Sequence, residues 1–468
     1  MRLRPPSFGS TVLAAALLAG CAAPRDDAPA PVAAAEIPAA WQGAAGTTPV
    51  DASWWRAFGD PVLAHWVELA LAANADLGTA VARVRQARGE ERVARASLWP
   101  TLDASANATR ARSPGALGGA SLTTSGQPLF QAAYELDLFG RVAEGVRAAQ
   151  AGTQGALQAR DAAALAVAAT AASGYLTLRL LDARLEILEA TLASRAESLR
   201  LARDRARVGY TSELEWRQSE SEYEATAQQV PAAQAAIARQ EHALALLAGL
   251  APGPVARGAP LAALTAPAVP GGLPSELLRR RPDIAQAESA LAAADAQLAV
   301  ARAQFLPSLR LTATAGSVLS TALPDPVAVW SIGASVLAPI FSAGRLEGQA
   351  EAAAGRRDEA AWAYRGKVLN ALREVEDGLA AVARLREQRV HLQAQRAAVA
   401  EALRHATNRY RAGYASYLEQ LDAERSLLGA ELALAQVQGD ELVALVGLEQ
   451  AMGGGWPGAD GNAAASSR

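Results

Sequence analysis

The feature that most constrains this chain is its match to itself. Asn74-Ala75-Asp76 precedes one helical pattern and Arg281-Pro282-Asp283 precedes another, a displacement of 207 residues. Leu98-Trp99-Pro100 aligns with Phe305-Leu306-Pro307 at the same displacement. Further on, Arg207-Val208-Gly209-Tyr210 aligns with Arg411-Ala412-Gly413-Tyr414 at 204, a value shared by Gly140-Arg141 and Gly344-Arg345. A unit of roughly 200 residues used twice is far longer than a solenoid repeat, so the chain is a duplicated domain.

Both copies open with a heptad of alternating large and small residues. In the second copy Ile284, Leu291, Leu298 and Phe305 hold one position and Ala287, Ala294 and Ala301 the other. The first copy has Leu77, Val84 and Leu98 with Ala80, Ala87 and Ala94, interrupted by Glu91. Such a seam suits close helix packing. After each helix the period changes to two. Leu102, Ala104, Ala106 and Ala108 alternate with Thr101, Asp103, Ser105 and Asn107; Leu309, Leu311, Ala313 and Ala315 alternate with Ser308, Arg310, Thr312 and Thr314. A Gly/Ser/Pro-rich stretch follows in each copy. A second alternating run then returns: Tyr134, Leu136 and Leu138, and later Trp330, Ile332, Ala334, Val336, Ala338 and Ile340. These are two hairpins whose strands have the length and two-faced character of transmembrane β-strands. Four strands cannot close a barrel, and open edges are not tolerated in lipid, so the chain must oligomerise.

Each hairpin feeds some 65 residues without proline, a helix on the order of 100 Å long. Gly209 and Gly413 stand where those helices must stop and turn back. The predicted fold class is a mixed α/β membrane protein, mostly long α-helices with four transmembrane β-strands per chain and an internal two-fold repeat. Its predicted segments are a signal peptide (1–20), a lipidated flexible tether (21–50) and a first repeat (51–248). That repeat holds a hairpin at 100–139, a long helix at 140–206 and a return helix at 213–248, kinked at Pro231. A linker (249–281) leads to the second repeat (282–450), with a hairpin at 307–341, a long helix at 344–410 and a return helix at 416–450. A tail (451–468) follows.

The N-terminus supplies an address. A basic start and a brief apolar core lead into Leu18-Ala19-Gly20-Cys21, which resembles a lipobox. The chain's single cysteine falls at the position that would carry a diacylglycerol. That covalent lipid is the only non-protein group expected. One lipid anchors a chain without making it span the bilayer. Past this region no apolar stretch looks long enough to form a transmembrane helix.

Several classes are excluded. A net charge of −3 gives no reason to expect nucleic acid. One cysteine rules out an intrachain disulfide, and His65, His242, His391 and His405 lack metal-site spacing. Arg279-Arg280-Arg281 reads as a loop before a helix opened by Pro282 and Asp283. Gly453–Gly455 lacks the context of a phosphate loop. No catalytic constellation is legible, so no enzyme is expected.

The chain resembles the outer membrane efflux protein family, the trimeric TolC-like channels, and within it the OprM-like lipoprotein branch. The resemblance is carried by Trp54-Trp55-Arg56-Ala57-Phe58-Gly59-Asp60-Pro61, Glu135-Leu136-Asp137-Leu138-Phe139-Gly140-Arg141 and Gly272-Leu273-Pro274-Ser275-Glu276-Leu277-Leu278. Arg280 to Ile284, Tyr410 to Gly413, Leu421 to Leu427 and Gly453 to Trp456 continue it. It implies three chains closing one 12-stranded barrel above a periplasmic tunnel of twelve helices. It also implies an outer-membrane location, a periplasmic membrane-fusion adaptor and an inner-membrane RND transporter as partners. Gly209 and Gly413 would then mark the adaptor-docking tips. By the same resemblance Leu418 matches a hydrophobic constriction, and Asp422 and Arg425 an acidic and a basic gate position. Tyr410 and Arg411 match residues tying neighbouring helices, and Glu419 an acidic ring. Gln218 stands at the first-copy position of Asp422, so the gate should differ between copies. Two other readings stay open: a duct for type I protein secretion serving an ABC exporter, and a periplasmic coiled-coil lipoprotein without membrane strands.

Overall fold

A computed structural model describes residues 37–46, 51–114 and 119–454. The lipobox residues Leu18, Ala19 and Gly20, the lipidation candidate Cys21, and most of the expected tether and tail lie outside the described residues. The chain forms two compact units, each built from both copies of the repeat.

The first unit comprises Arg83–Leu157 and Gln286–Arg365. Its centre is a four-stranded antiparallel sheet in the order β1 (Thr101–Pro114), β2 (Ala120–Leu136), β3 (Ser308–Ser320) and β4 (Val327–Leu337). The two hairpins are joined through β2 and β3, with Leu136 opposite Leu309 and Phe130 opposite Ala315. The register gathers Leu102, Ala132, Ala313 and Ile332 into one row, and Ala104, Phe130, Ala315 and Trp330 into the next. Both rows lie on one face. The opposite face carries Asp103, Gln131, Thr314 and Ser331 in one row, where the hydroxyls of Thr314 and Ser331 are 2.8 Å apart. Ile332, Trp330 and Leu102 are each more than 70% exposed. An apolar face that open cannot be a soluble core surface.

Two strands end earlier than their alternation suggests, although β2 begins at Ala120, well before Tyr134. Leu138 lies beyond the end of β2, because Asp137 turns its carboxylate to accept the N–H of Ala143 at 2.7 Å and so caps the following helix. Glu135 stays in the strand and holds Arg141 through two hydrogen bonds, of 3.0 and 2.6 Å. Ala338 and Ile340 lie beyond β4, since Pro339 has no N–H to offer a ladder. Helix α2 (Ala75–Ala96), which begins in the other unit, and α6 (Pro282–Ala303) enter the sheet. The long helices α3 (Arg141–Arg207) and α7 (Arg345–Arg411) leave it. In the second-copy heptad Leu298 and Ala301 pack on Ala353.

The second unit comprises Ala35–Ala82, Gln158–Ala285 and Gly366–Arg468, as far as these are described. Helix α1 (Pro61–Ala73) starts at Asp60, whose Oδ1 accepts the N–H of Val62 at 2.8 Å. Asn74 caps α2 in turn, accepting the N–H groups of Asp76 and Leu77 and donating to the carbonyl of Leu247. The return of the first copy is two helices, α4 (Glu213–Ala227) and α5 (Gln229–Leu247). The break at Gln228 falls three residues before Pro231, whose ring displaces the carbonyl four residues upstream. The second copy has no such proline and returns as one helix, α8 (Tyr417–Ala451).

Small residues let these helices approach closely. Ala168, Ala169, Ala171 and Ala172 of α3 are all buried. A Cβ added at Gly439 of α8 would meet the Leu180 side chain at 2.8 Å. One 18-residue window of α3 is long and apolar enough to cross a bilayer, which corrects the expectation that none exists past the N-terminus. It is 56% buried within the fold, as a packed core helix is.

Candidate functional site

The two helix turns that the sequence marks are built alike. Gly209 and Gly413 adopt φ values of 72° and 77°, the left-handed region that glycine enters without strain. The N–H of Gly209 reaches the carbonyl of Ala206 and that of Tyr210 reaches Arg205, at 3.0 and 2.9 Å. Gly413 and Tyr414 repeat this on Tyr410 and Arg409 at the same distances. Both are Schellman turns, which satisfy the last carbonyls of α3 and α7. Arginines crowd the same ends, where the helix dipole favours cations: Arg205 and Arg207, Arg409 and Arg411.

Side chains then tie the first copy to the second. The hydroxyl of Tyr410 donates to Glu215 on α4. The Arg205 guanidinium lies 5.5 Å from the centre of the Tyr410 ring, and the Tyr417 ring 5.7 Å away. Burial first, and the Glu215 carboxylate next, push the Tyr410 hydroxyl up to about 12, so it remains a donor at any physiological pH. Arg409 pairs with Glu419 at 3.0 Å. One turn deeper, Nε of Arg425 donates to Glu222 Oε1 at 3.0 Å, while Arg195 of α3 holds Oε2 of the same carboxylate, also at 3.0 Å. Glu222 is buried, and its hydrogen bond to Arg425 is the main reason that guanidinium holds its proton more tightly than usual.

The predicted site residues therefore divide. Tyr410, Glu419 and Arg425 each make a separate polar contact between helices, with Glu215, Arg409 and Glu222. Leu418, Asp422 and Arg411 are exposed. Asp422 and Arg425 share a helix, yet the ion pair of Arg425 is made with Glu222 and not with Asp422. Glu222, Arg195, Glu215 and Arg205 were not singled out from sequence; Glu222 lies 203 positions from Arg425, and no local spacing reveals such a partner. Leu214 is legible from the repeat alone. The displacement of 204 carries Leu418 onto it, and the two are 57% and 66% exposed. Each turn thus presents a bare leucine just past a bare tyrosine, Tyr210 or Tyr414. Among the described residues no group of three or more His, Cys, Asp or Glu is placed to hold a metal.

An open β-sheet with one lipid-compatible face, carried on two 67-residue helices that turn back at matched glycines, defines a component of an outer-membrane duct. The chain belongs to the outer membrane efflux protein family, whose sequence profile matches residues 66–250 and 273–454. It is 34% identical over 444 residues to the toluene efflux pump outer membrane protein TtgC of Pseudomonas putida, covering 92% of this chain and 89% of that one. It is also 34% identical over 420 residues to the pyoverdine export outer membrane protein OpmQ of Pseudomonas aeruginosa, covering 86% and 87%. Its fold matches the outer-membrane channel OprN with a TM-score of 0.83 at 31% identity, over 90% of this chain and 98% of that one. The open state of the MtrE outer membrane channel of Neisseria gonorrhoeae matches at 0.82 and 32% identity, over 90% and 96%.

Proposed function

We propose that this chain is the outer-membrane subunit of a tripartite efflux pump, a passive exit duct for small molecules, and not an enzyme. Three copies close a 12-stranded barrel in the outer membrane, and the long helices form the tunnel into the periplasm. A periplasmic adaptor docks at the turns around Gly209 and Gly413, and an inner-membrane RND transporter supplies the energy. Leu418 and Asp422 form the constriction. Tyr410, Arg411, Glu419 and Arg425 hold it, and Cys21 carries the lipid.

The observation that carries this reading is the sheet. Its edges, β1 and β4, have no strand partner within the chain among the described residues, and its apolar face is open. Hydrocarbon tolerates neither a free edge nor an unclosed sheet. Three chains of four strands remove both problems. The test is the native mass of the detergent-extracted, membrane-expressed protein together with its acylated N-terminal peptide. Three lipidated chains per particle are expected, and a lipidated monomer removes the barrel. Co-purification with an ABC exporter in place of an RND transporter would move the chain to the secretion branch.

A further inference from the structure

The continuous apolar face of the sheet is broken before the tips of the hairpins, although Leu122 resumes it on β2. Along β2 it extends from Leu136, beside Leu309, to Gly126, flanked by Ala108 and Leu319. Ten residues at about 3.3 Å each and a tilt of about 40° give a band about 25 Å tall, the height of the lipid-facing band of an outer-membrane barrel. The next two positions of β1 on that same face are Arg110, opposite Thr124, and Arg112, opposite Leu122. Both are exposed, and neither forms an ion pair among the described residues. No Asp or Glu occurs between positions 104 and 134, and β3 and β4 with their connection contain only Asp325. These two cations therefore stand at the rim of a lipid-facing surface with almost no counter-charge built around them.

The topology fixes which rim this is. Thr101, Leu136, Ser308 and Leu337 are the strand ends that join helices, and all lie at the opposite end of the sheet. With the helices in the periplasm, Arg110 and Arg112 lie at the outer leaflet. Arginine on a lipid face is costly at mid-bilayer and nearly free at the interface. Its planar fork matches phosphate oxygens in pairs, and two arginines about 7 Å apart along a strand can grip one doubly charged headgroup.

We propose that Arg110 and Arg112 form a binding site for the phosphorylated headgroup of an outer-leaflet lipid, seating the barrel in an anionic leaflet. The proposal rests on the duct reading above. The test places the full-length lipidated protein in phosphatidylcholine nanodiscs containing either diphosphorylated lipid A or the same lipid dephosphorylated. Native mass spectrometry then counts the lipid each particle retains. Selective retention of the phosphorylated form is expected. It should fall about 5-fold for either Arg110→Gln or Arg112→Gln and about 30-fold for both, with the oligomer mass and single-channel conductance unchanged. Lysine at both positions keeps the charge without the fork and should recover part of the binding. Equal retention of the two lipids, or selectivity that survives the double glutamine variant, overturns the site. Displacement of the lipid by an equal concentration of inorganic phosphate makes it a free-anion site and overturns the lipid assignment. A wild-type chain that stays monomeric fails the duct reading; selective retention by that monomer still supports the site, and its absence sinks it.

Discussion

Arg425 on α8 and Glu222 on α4 lie 3.0 Å apart, Nε to Oε1, and join the return helices of the two repeat copies. The arginine end is about half exposed and the glutamate end is buried against Arg195. The two ends should therefore respond differently to substitution. Arg425→Ala loses an ion pair whose worth is cut by solvent, about 1 kcal/mol or less. Glu222→Ala strands the buried Arg195 as an uncompensated charge and should cost roughly 3 kcal/mol or more. If the pair helps hold the duct shut, Arg425→Ala raises single-channel conductance and antibiotic leak with little loss of thermal stability. Unchanged conductance in Asp422→Ala combined with Arg425→Ala removes both residues from the gate.

This contrast shows what the sequence makes legible. Heptads, alternation and turn glycines are local patterns, and they foretell helix, hairpin, long helix and return in each copy. The ion pairs that decide which side chains meet are not local. Asp422 and Arg425 look like a pair because they are three apart on one helix, yet Arg425 is drawn to a carboxylate already desolvated beside Arg195. Strand ends escape the local pattern for a similar reason. Leu138 and Ile340 keep the alternation going, but Asp137 and Pro339 end the ladder through hydrogen bonding, which hydrophobic period does not record. Leu214 was the opposite case, since the displacement that aligns Gly209 with Gly413 already names it.

Tyr175 offers a test of the second unit's core. Its side chain is fully buried; its hydroxyl donates to Asp60 Oδ2 at 2.9 Å and accepts the N–H of Gly258 at 2.8 Å. Burial pushes that hydroxyl up to about 12, so it serves as a donor throughout the physiological range. Tyr175→Phe keeps the ring but leaves the Gly258 N–H without its acceptor. A buried donor left unpaired costs about 1–3 kcal/mol. The expected result is a lower thermal midpoint, with channel conductance unchanged in the protein that remains folded. An unchanged midpoint would mean that the Gly258 segment finds another acceptor.

Glu449 gives the fold a pH dependence of unusual sign. Burial, aided by the nearby negative charge of Asp51, raises its carboxyl from 4.5 to about 7, and its Oε2 has no hydrogen-bond partner among the described residues. Between those two values the folded chain holds a proton that the unfolded chain has released. Stability contributed by this group is therefore fully present below about pH 4.5 and is lost as pH rises through about 7. The loss should be on the order of 3 kcal/mol by about pH 8. Denaturation followed from about pH 5 to pH 8 should show it, and Glu449→Gln should flatten that part of the profile. A slope unchanged in the glutamine variant would assign it to other groups.

The two faces of the sheet predict opposite responses to the same insertion. Ile332 lies in the apolar row with Ala313, Ala132 and Leu102, while its neighbour Ser331 lies in the polar row with Thr314, Gln131 and Asp103. In a barrel with lipid outside and water inside, Ile332→Arg puts a guanidinium into hydrocarbon at about 2–4 kcal/mol per chain near mid-bilayer. Three such charges per trimer should abolish the heat-resistant oligomer in outer-membrane extracts. Ser331→Arg sends the same side chain into the water-filled lumen beside Thr314, where it costs little. That trimer should assemble, and its conductance should shift toward anions because a ring of fixed positive charge now lines the pore. Were Ser331→Arg to block assembly while Ile332→Arg spared it, the faces would be reversed, and the lipid-facing rim at Arg110 and Arg112 would point into the channel.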